Sequence, residues 1–201
     1  MNTTNIFPTK IYKTQFQGDV GNLLNLIMPK LNAWFAKTKN DNQGSMRNHG
    51  LCSYNVKRDM HTWPELSELV EFINNSAYEY WQSLGYKKDM RPGVYEMWAN
   101  KYPPGSFIDY HNHSPIHMTA TFILQKDSSG GDLIFEHPAS TLLKHQPYEI
   151  TAESYYNLFE SVVDAGPGEL VIFPGYLNHK TSPNNSTQDR IMIGANVCNV
   201  V

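Results

Sequence analysis

From residue 93 almost to its end the chain is cut into short runs rich in Val, Ile, Phe, Tyr and Thr, each closed by Pro, Gly, Asn or Ser. The runs cover 94–102, 106–113, 117–125, 133–136, 169–173 and 190–197. Segments this short and this evenly punctuated predict antiparallel strands folded into a sandwich or barrel. One stretch breaks the rhythm. Residues 138–164 carry Leu142, Leu143, Tyr148, Tyr155, Tyr156 and Phe159 without clean alternation. It is too long for a hairpin loop, and loops of that length are often binding segments; we read it as a lid.

The first 92 residues have a different character. An edge strand is expected over 5–16, where Pro8 lacks the donor that a central strand needs. Val20, Leu23, Leu24, Ile27, Leu31, Trp34 and Phe35 recur at helical spacing, so a helix is expected over 20–37, with Pro29 as the site of a kink or early break. A polar loop over 38–48 and a short strand over 51–56 follow. Thr62, Pro64 and Glu65 have the spacing of a capped helix start, and the stripe Leu66, Leu69, Val70, Ile73, Ala77 and Leu84 ends at Gly85. The whole reads as one domain, 1–201. Residues 1–92 supply an N-terminal strand and supporting helices, and 93–201 a mainly β core.

Composition limits the partners. A net charge of −3 over 201 residues gives no basic field for nucleic acid or an anionic membrane. There is no run of the length needed to span a bilayer, and Met1-Asn2-Thr3-Thr4 does not begin a signal peptide. A cytoplasmic protein is expected. Cys52 and Cys198 lack metal or redox spacing and read as reduced thiols.

The chemistry gathers around histidine. His111 and His113 share one face if the backbone there is extended, and His179 follows the Phe173-Pro174-Gly175 turn. Three imidazoles on one side of a metal leave its other side open for substrate, co-substrate or water. Asp109, on the same face as His111, is an acidic alternative ligand. Arg190 offers a permanently charged fork suited to a carboxylate. His49, His61, His117, His137 and His145 have no such company and read as surface or core histidines.

Taken in order, Trp98 to Asn100, Gly105, His111-x-His113, Gly131 to Phe135, Gly168 to Pro174, His179 and Arg190 resemble the iron(II)- and 2-oxoglutarate-dependent oxygenases. The likeness is greatest to a group of bacterial and phage members and runs from Trp98 to Asn196. It implies a double-stranded β-helix, a jelly-roll or cupin-like core. It also implies Fe(II), 2-oxoglutarate and O2, with decarboxylation to succinate coupled to hydroxylation of a C–H bond. Position by position, His111 and His179 match the family's metal histidines, and Arg190 matches the residue that binds the C5 carboxylate. His113 stands where most members have Asp or Glu, and is expected to ligate in its place. Met192 replaces a common Ser or Thr, which leaves Tyr102, Thr119 and Thr121 as candidate second partners of the carboxylate. The substrate class stays open between small molecules and peptides, as does the oligomeric state. Two other readings remain: a cupin-like histidine–metal enzyme that does not use 2-oxoglutarate, and a non-catalytic metal-binding protein.

Overall fold

A computed structural model describes residues 8–38, 47–48, 50–143 and 158–199 of the chain. Strand β1 (Tyr12–Gln15) precedes helix α1 (Val20–Phe35), followed by β2 (Arg47–Asn48), β3 (Leu51–Cys52) and helix α2 (Ser67–Ser83). Then come β4 (Pro92–Tyr102), β5 (Phe107–Ile108), β6 (Met118–Gln125), β7 (Leu133–Glu136), α3 (Ser140–Leu143), β8 (Glu160–Val163), β9 (Glu169–Pro174), β10 (His179–Thr181) and β11 (Arg190–Asn199).

Six strands form a major antiparallel sheet in the order β1-β9-β6-β11-β4-β3, so the first strand takes the expected edge position. A smaller sheet, β10-β7-β8, is joined to the loop after β5 by a bridge between His111 and His179. Alternation along the central strands gives the major sheet two different faces. Met97, Ala99, Met118, Ala120, Phe122, Leu170, Ile172, Ile191, Ile193 and Ala195 pack with α1 and α2 in one apolar core. Their neighbours Val171, Phe173, Ile123 and Met192 point the other way, into a second core shared with Leu133 and Phe135 of the small sheet. The cavity described below opens on this second face.

Helix α1 starts at Asp19, whose carboxylate accepts the Asn22 amide at 2.9 Å, and buries Leu23, Ile27, Leu31 and Phe35 four residues apart. It does not break at Pro29. That residue lies on the exposed side, where packing against the sheet continues on either side of it. The capping box expected at Thr62 and Glu65 does not form. Thr62 Oγ1 donates to the Asp59 carbonyl within a short 3-10 turn, Glu65 pairs with Lys30, and the α-helix begins only at Ser67. The strand expected over 51–56 stops at Cys52. After that point Ser53 accepts the Val56 and Lys57 amides and closes a turn.

Of the stretch read as a lid, Tyr148, Tyr155 and Tyr156 lie outside the described residues. Its end forms a regular strand, with β8 paired to β7 from Leu133↔Val163 to Glu136↔Glu160. Among the described residues no helix is long and apolar enough to cross a membrane.

Candidate metal centre

The run 106–113 is not the continuous strand its composition suggests, since regular pairing covers only Phe107–Ile108. Local bonds compete for the backbone beyond that point. The Asp109 carbonyl is taken by the ring of His111, and the Asp109 carboxylate by the Tyr110 amide. The loop is nevertheless fixed to the distal histidine's segment. His111 and His179 exchange backbone hydrogen bonds of 3.1 and 2.9 Å, and the His113 amide donates to Gly175 at 2.7 Å. Between the two histidines, Asn112 Nδ2 donates to Asn178 Oδ1 at 2.8 Å. Asn178 in turn donates to Glu136 at 2.9 Å, which accepts from Ser140 at 2.8 Å. Side-chain hydrogen bonds therefore reinforce the backbone pairing that sets the histidines opposite one another.

The result is a cluster in which one ring nitrogen from each of His111, His113 and His179 lies within 4.8 Å of the others. The tautomers of two of them follow from their partners. Nδ1 of His111 faces the Asp109 carbonyl and Nδ1 of His179 the Leu177 carbonyl, both at 2.9 Å. A carbonyl only accepts, so Nδ1 carries the proton and Nε2 keeps the lone pair a metal needs. Burial pushes His179 well below the ordinary histidine range, and His111 and His113 push it the same way against the opposing effect of the Leu177 carbonyl. The ring is therefore held neutral, as a ligand must be. Phe173 meets the His179 ring edge-on at 4.6 Å and Trp98 stacks on His113 at 5.6 Å, shielding two sides of the cluster. Asp109 is exposed and outside the cluster, so the acidic alternative ligand is not realised.

The three histidines line a cavity of about 500 Å3. Its main wall is ordered by strand register. Thr119, Asn196 and Glu96 form one cross-strand row, and Thr121, Gly194 and Trp98 the next. Ile123, Met192 and Asn100 make a third, and Arg190 opposite Tyr102 closes the series. Gly194 is required by this arrangement: a Cβ there would sit 2.6 Å from the Trp98 indole. Arg190 and Glu96 thus stand at opposite ends, six residues of β11 apart, or about 20 Å at ~3.3 Å per residue.

Arg190 is 1% exposed and does not itself form the cavity surface, which is supplied there by Tyr102 and Thr181. Its Nη1 donates to the carbonyls of Gly130 and Ser182 at 2.6 and 3.1 Å, and Nη2 to Thr181 Oγ1 at 2.8 Å. Gly131 makes the approach possible, because a Cβ at its φ of +84° would lie 2.5 Å from Nη1. Nε is buried without a partner. Nε–H and Nη2 share one edge of the guanidinium, and that edge is one a carboxylate can take bidentately. The orphaned donor therefore fits an absent anionic ligand.

Of the candidate second partners, Tyr102 lies against the Arg190 guanidinium at 4.6 Å. Thr121 lines the middle of the wall. Thr119 sits in the Glu96 row, bonded to Asn196 Oδ1 at 3.4 Å, too far along the wall to share a ligand carboxylate with Arg190. Sequence reading overlooked Thr181 and Asn100. Thr181 is two residues beyond His179 on β10 and so shares its face. Asn100 shares the face of Trp98 and Tyr102, and its Oδ1 is buried without a partner.

Residues 96–196, half of the chain, match a family model described as "Putative 2OG-Fe(II) oxygenase". No curated protein matches the sequence. Among solved structures, a Pseudomonas putida prolyl-4-hydroxylase is similar at 14% identity and a TM-score of 0.62, over 96% of this chain and 94% of that one. The collagen prolyl hydroxylase of Paramecium bursaria Chlorella virus 1, in complex with 2OG, is similar at 14% identity and a TM-score of 0.54, covering 94% and 96%. HygX from Streptomyces hygroscopicus, with nickel and 2-oxoglutarate bound, is similar at 9% identity and a TM-score of 0.57, covering 96% and 84%. Likeness at such low identity establishes the shared jelly-roll fold and nothing finer.

Proposed function

The chain belongs to the 2OG-Fe(II) oxygenase family, whose members use Fe(II), 2-oxoglutarate and O2, and from that premise we propose that it hydroxylates a C–H bond of a small-molecule or peptide substrate. Family membership removes the two other readings, a metalloenzyme that does not use 2-oxoglutarate and a metal protein without catalysis. The observation that carries the proposal is the convergence of His111, His113 and His179 on a cavity backed at one end by the partly unpaired fork of Arg190.

In this reading the three histidines hold the iron, with His113 as a neutral ligand in place of the usual carboxylate. When bound, iron and 2-oxoglutarate supply an oxidant for C–H bonds by oxidative decarboxylation to succinate. The protein's work is to bind and orient. The Nδ1 bonds to Asp109 and Leu177 aim the lone pairs of His111 and His179. Arg190 takes the C5 carboxylate through Nε–H and Nη2, while its Nη1 bonds to Gly130 and Ser182 keep it from following the ligand. Tyr102 and Thr181 face the same end of the cavity, and the amide of Asn100 projects from the wall between that end and Trp98. Phe173 and Phe135 pack on the His179 ring and Trp98 on His113, which limits the access of water to those two rings.

The test is oxygen-dependent succinate formation from 2-oxoglutarate with added Fe(II), paired with metal titration. Arg190→Lys keeps the charge and loses the side-on fork. It is expected to weaken 2-oxoglutarate binding by about 10- to 100-fold, the worth of a charge-assisted bond, with metal affinity retained. Unchanged 2-oxoglutarate affinity would remove Arg190 from the co-substrate site.

A further inference from the structure

The end of the cavity remote from Arg190 is built around a carboxylate. Among the described residues lining the cavity, Glu96 is the one Asp, Glu, Lys or Arg. Its side chain is 13% exposed, and it is held in place from two sides. Asn196 Nδ2 donates to Oε2 at 3.0 Å, and the Tyr54 hydroxyl donates to the same oxygen at 3.4 Å. The cavity thus has a buried cation behind one end and a fixed anion at the other.

A guanidinium already sits against this anion. Arg58 places Nη1 3.1 Å from Glu96 Oε1 and 2.8 Å from the Tyr54 hydroxyl, with Cζ 4.8 Å over the Tyr54 ring. Carboxylate, hydroxyl and aromatic face together are a recognition set for a planar cation. The Arg58 side chain is 51% exposed, whereas its backbone carbonyl is tied to the Met97 amide at 2.8 Å. The side chain can therefore leave while the loop stays.

We propose that Glu96 and Tyr54 bind a guanidinium group of the substrate, and that Arg58 occupies this subsite when substrate is absent. The proposal rests on the reading above, in which 2-oxoglutarate fills the Arg190 end and leaves the Glu96 end to the substrate. Electrostatics favour a cation there, because an anionic group would meet the Glu96 carboxylate, held in place by Asn196 and Tyr54. Arg58 competes with the substrate and lowers its apparent affinity until displaced.

The experiment uses the full chain loaded with Co(II) and 2-oxoglutarate under nitrogen. Calorimetry compares free L-arginine and acetyl-Gly-Arg-Gly-amide with their neutral citrulline counterparts. One arginine probe is expected to bind at least about tenfold more tightly than its citrulline partner, as loss of one charge-assisted contact implies. Which of the two does so separates a free metabolite from a peptide. Glu96→Gln should abolish the preference, and Arg58→Ala, a change at the exposed rim, should strengthen arginine binding several-fold. The 2-oxoglutarate affinity of each variant reports whether the cavity is intact. Equal binding of arginine and citrulline, binding of neither, an unchanged preference in Glu96→Gln, or weaker arginine binding in Arg58→Ala overturns the proposal. Failure of the wild type to bind 2-oxoglutarate would instead overturn the functional reading beneath it.

Discussion

Successive residues of the same strands serve opposite purposes in this protein. On β6, Met118, Ala120 and Phe122 face the helices and Thr119 and Thr121 face the cavity; on β11, Ile191, Ile193 and Ala195 face the helices and Met192, Gly194 and Asn196 the cavity. Along these residues one face is apolar. The other interleaves hydroxyl, amide, indole and glycine, and sets the charged side chains Arg190 and Glu96 at its two ends. Stability is thereby concentrated on a side that never meets ligand. The chemical side tolerates an unpaired Arg190 Nε and an unpaired Asn100 Oδ1 because the helix-facing core offsets their cost.

The separation can be broken most severely at the histidines. His179→Ala should abolish Co(II) binding in equilibrium dialysis, while the metal-free protein still unfolds cooperatively. Loss of both together would mean that the two faces are not independent. Next in size is a substitution across the sheet. Phe122→Ala should lower unfolding free energy by about 3–5 kcal/mol in denaturant titration, with Co(II) affinity of the folded protein unchanged. Thr121→Val, one residue away on the other face, should shift stability by less than about 1 kcal/mol. Between the faces lies the side-chain chain that joins the histidine segments. Asn178→Ala removes the partner of both Asn112 and Glu136, and metal affinity is expected to fall about 10- to 100-fold while Phe122 and its neighbours remain packed.

The smallest effect is a dependence on pH. His179 is held neutral in the folded chain and titrates near 6.5 when unfolded, so the unfolded state binds the extra proton. Metal-free stability should therefore be fully present above pH 7 and fall as pH drops below about 6.5, by at most about 1.4 kcal/mol per pH unit. Asp164 is held low chiefly by Lys126, and Glu169, which burial alone would raise, is held low by the Gly166 amide together with Lys13; both add their losses only near and below the ordinary carboxylate range. Chemical denaturation at pH 7, 6 and 5.5 isolates the histidine. A flat profile in that window would show that His179 is not held neutral.

Much of this was legible in the chain. The β-rich composition of 117–125 and 190–197, closed by turn residues, announced strands, and helical spacing from Leu23 to Phe35 and from Leu69 to Ala77 announced the helices. His111, His113 and His179 were marked by their spacing and their neighbours. Sequence gave less warning where local bonds override pattern. The Asp109 carbonyl prefers the His111 ring to a ladder, and Thr62 prefers the Asp59 carbonyl to a cap. Thr119 and Thr121 looked equivalent, being two residues apart on one strand. Register set one beside Asn196 and the other beside Gly194, and so assigned them to different parts of the wall.

By itself, then, the sequence determined a mainly β core of antiparallel strands with two supporting helices, three histidines able to meet, and an arginine after them, because these depend on periodicity and on side-chain chemistry; the jelly-roll came from the family resemblance. Tertiary structure decided the rest. It set the Nδ1 bonds that fix the His111 and His179 tautomers, the burial of Arg190 behind Tyr102 and Thr181, and the position of Glu96 at the other end of the cavity. The Nδ1 bonds run to carbonyls two residues back and follow the local course of the folded backbone, whereas the other two depend on which residues of distant strands stand opposite one another. That register is a property of the assembled sheet, settled by packing the apolar face against α1 and α2.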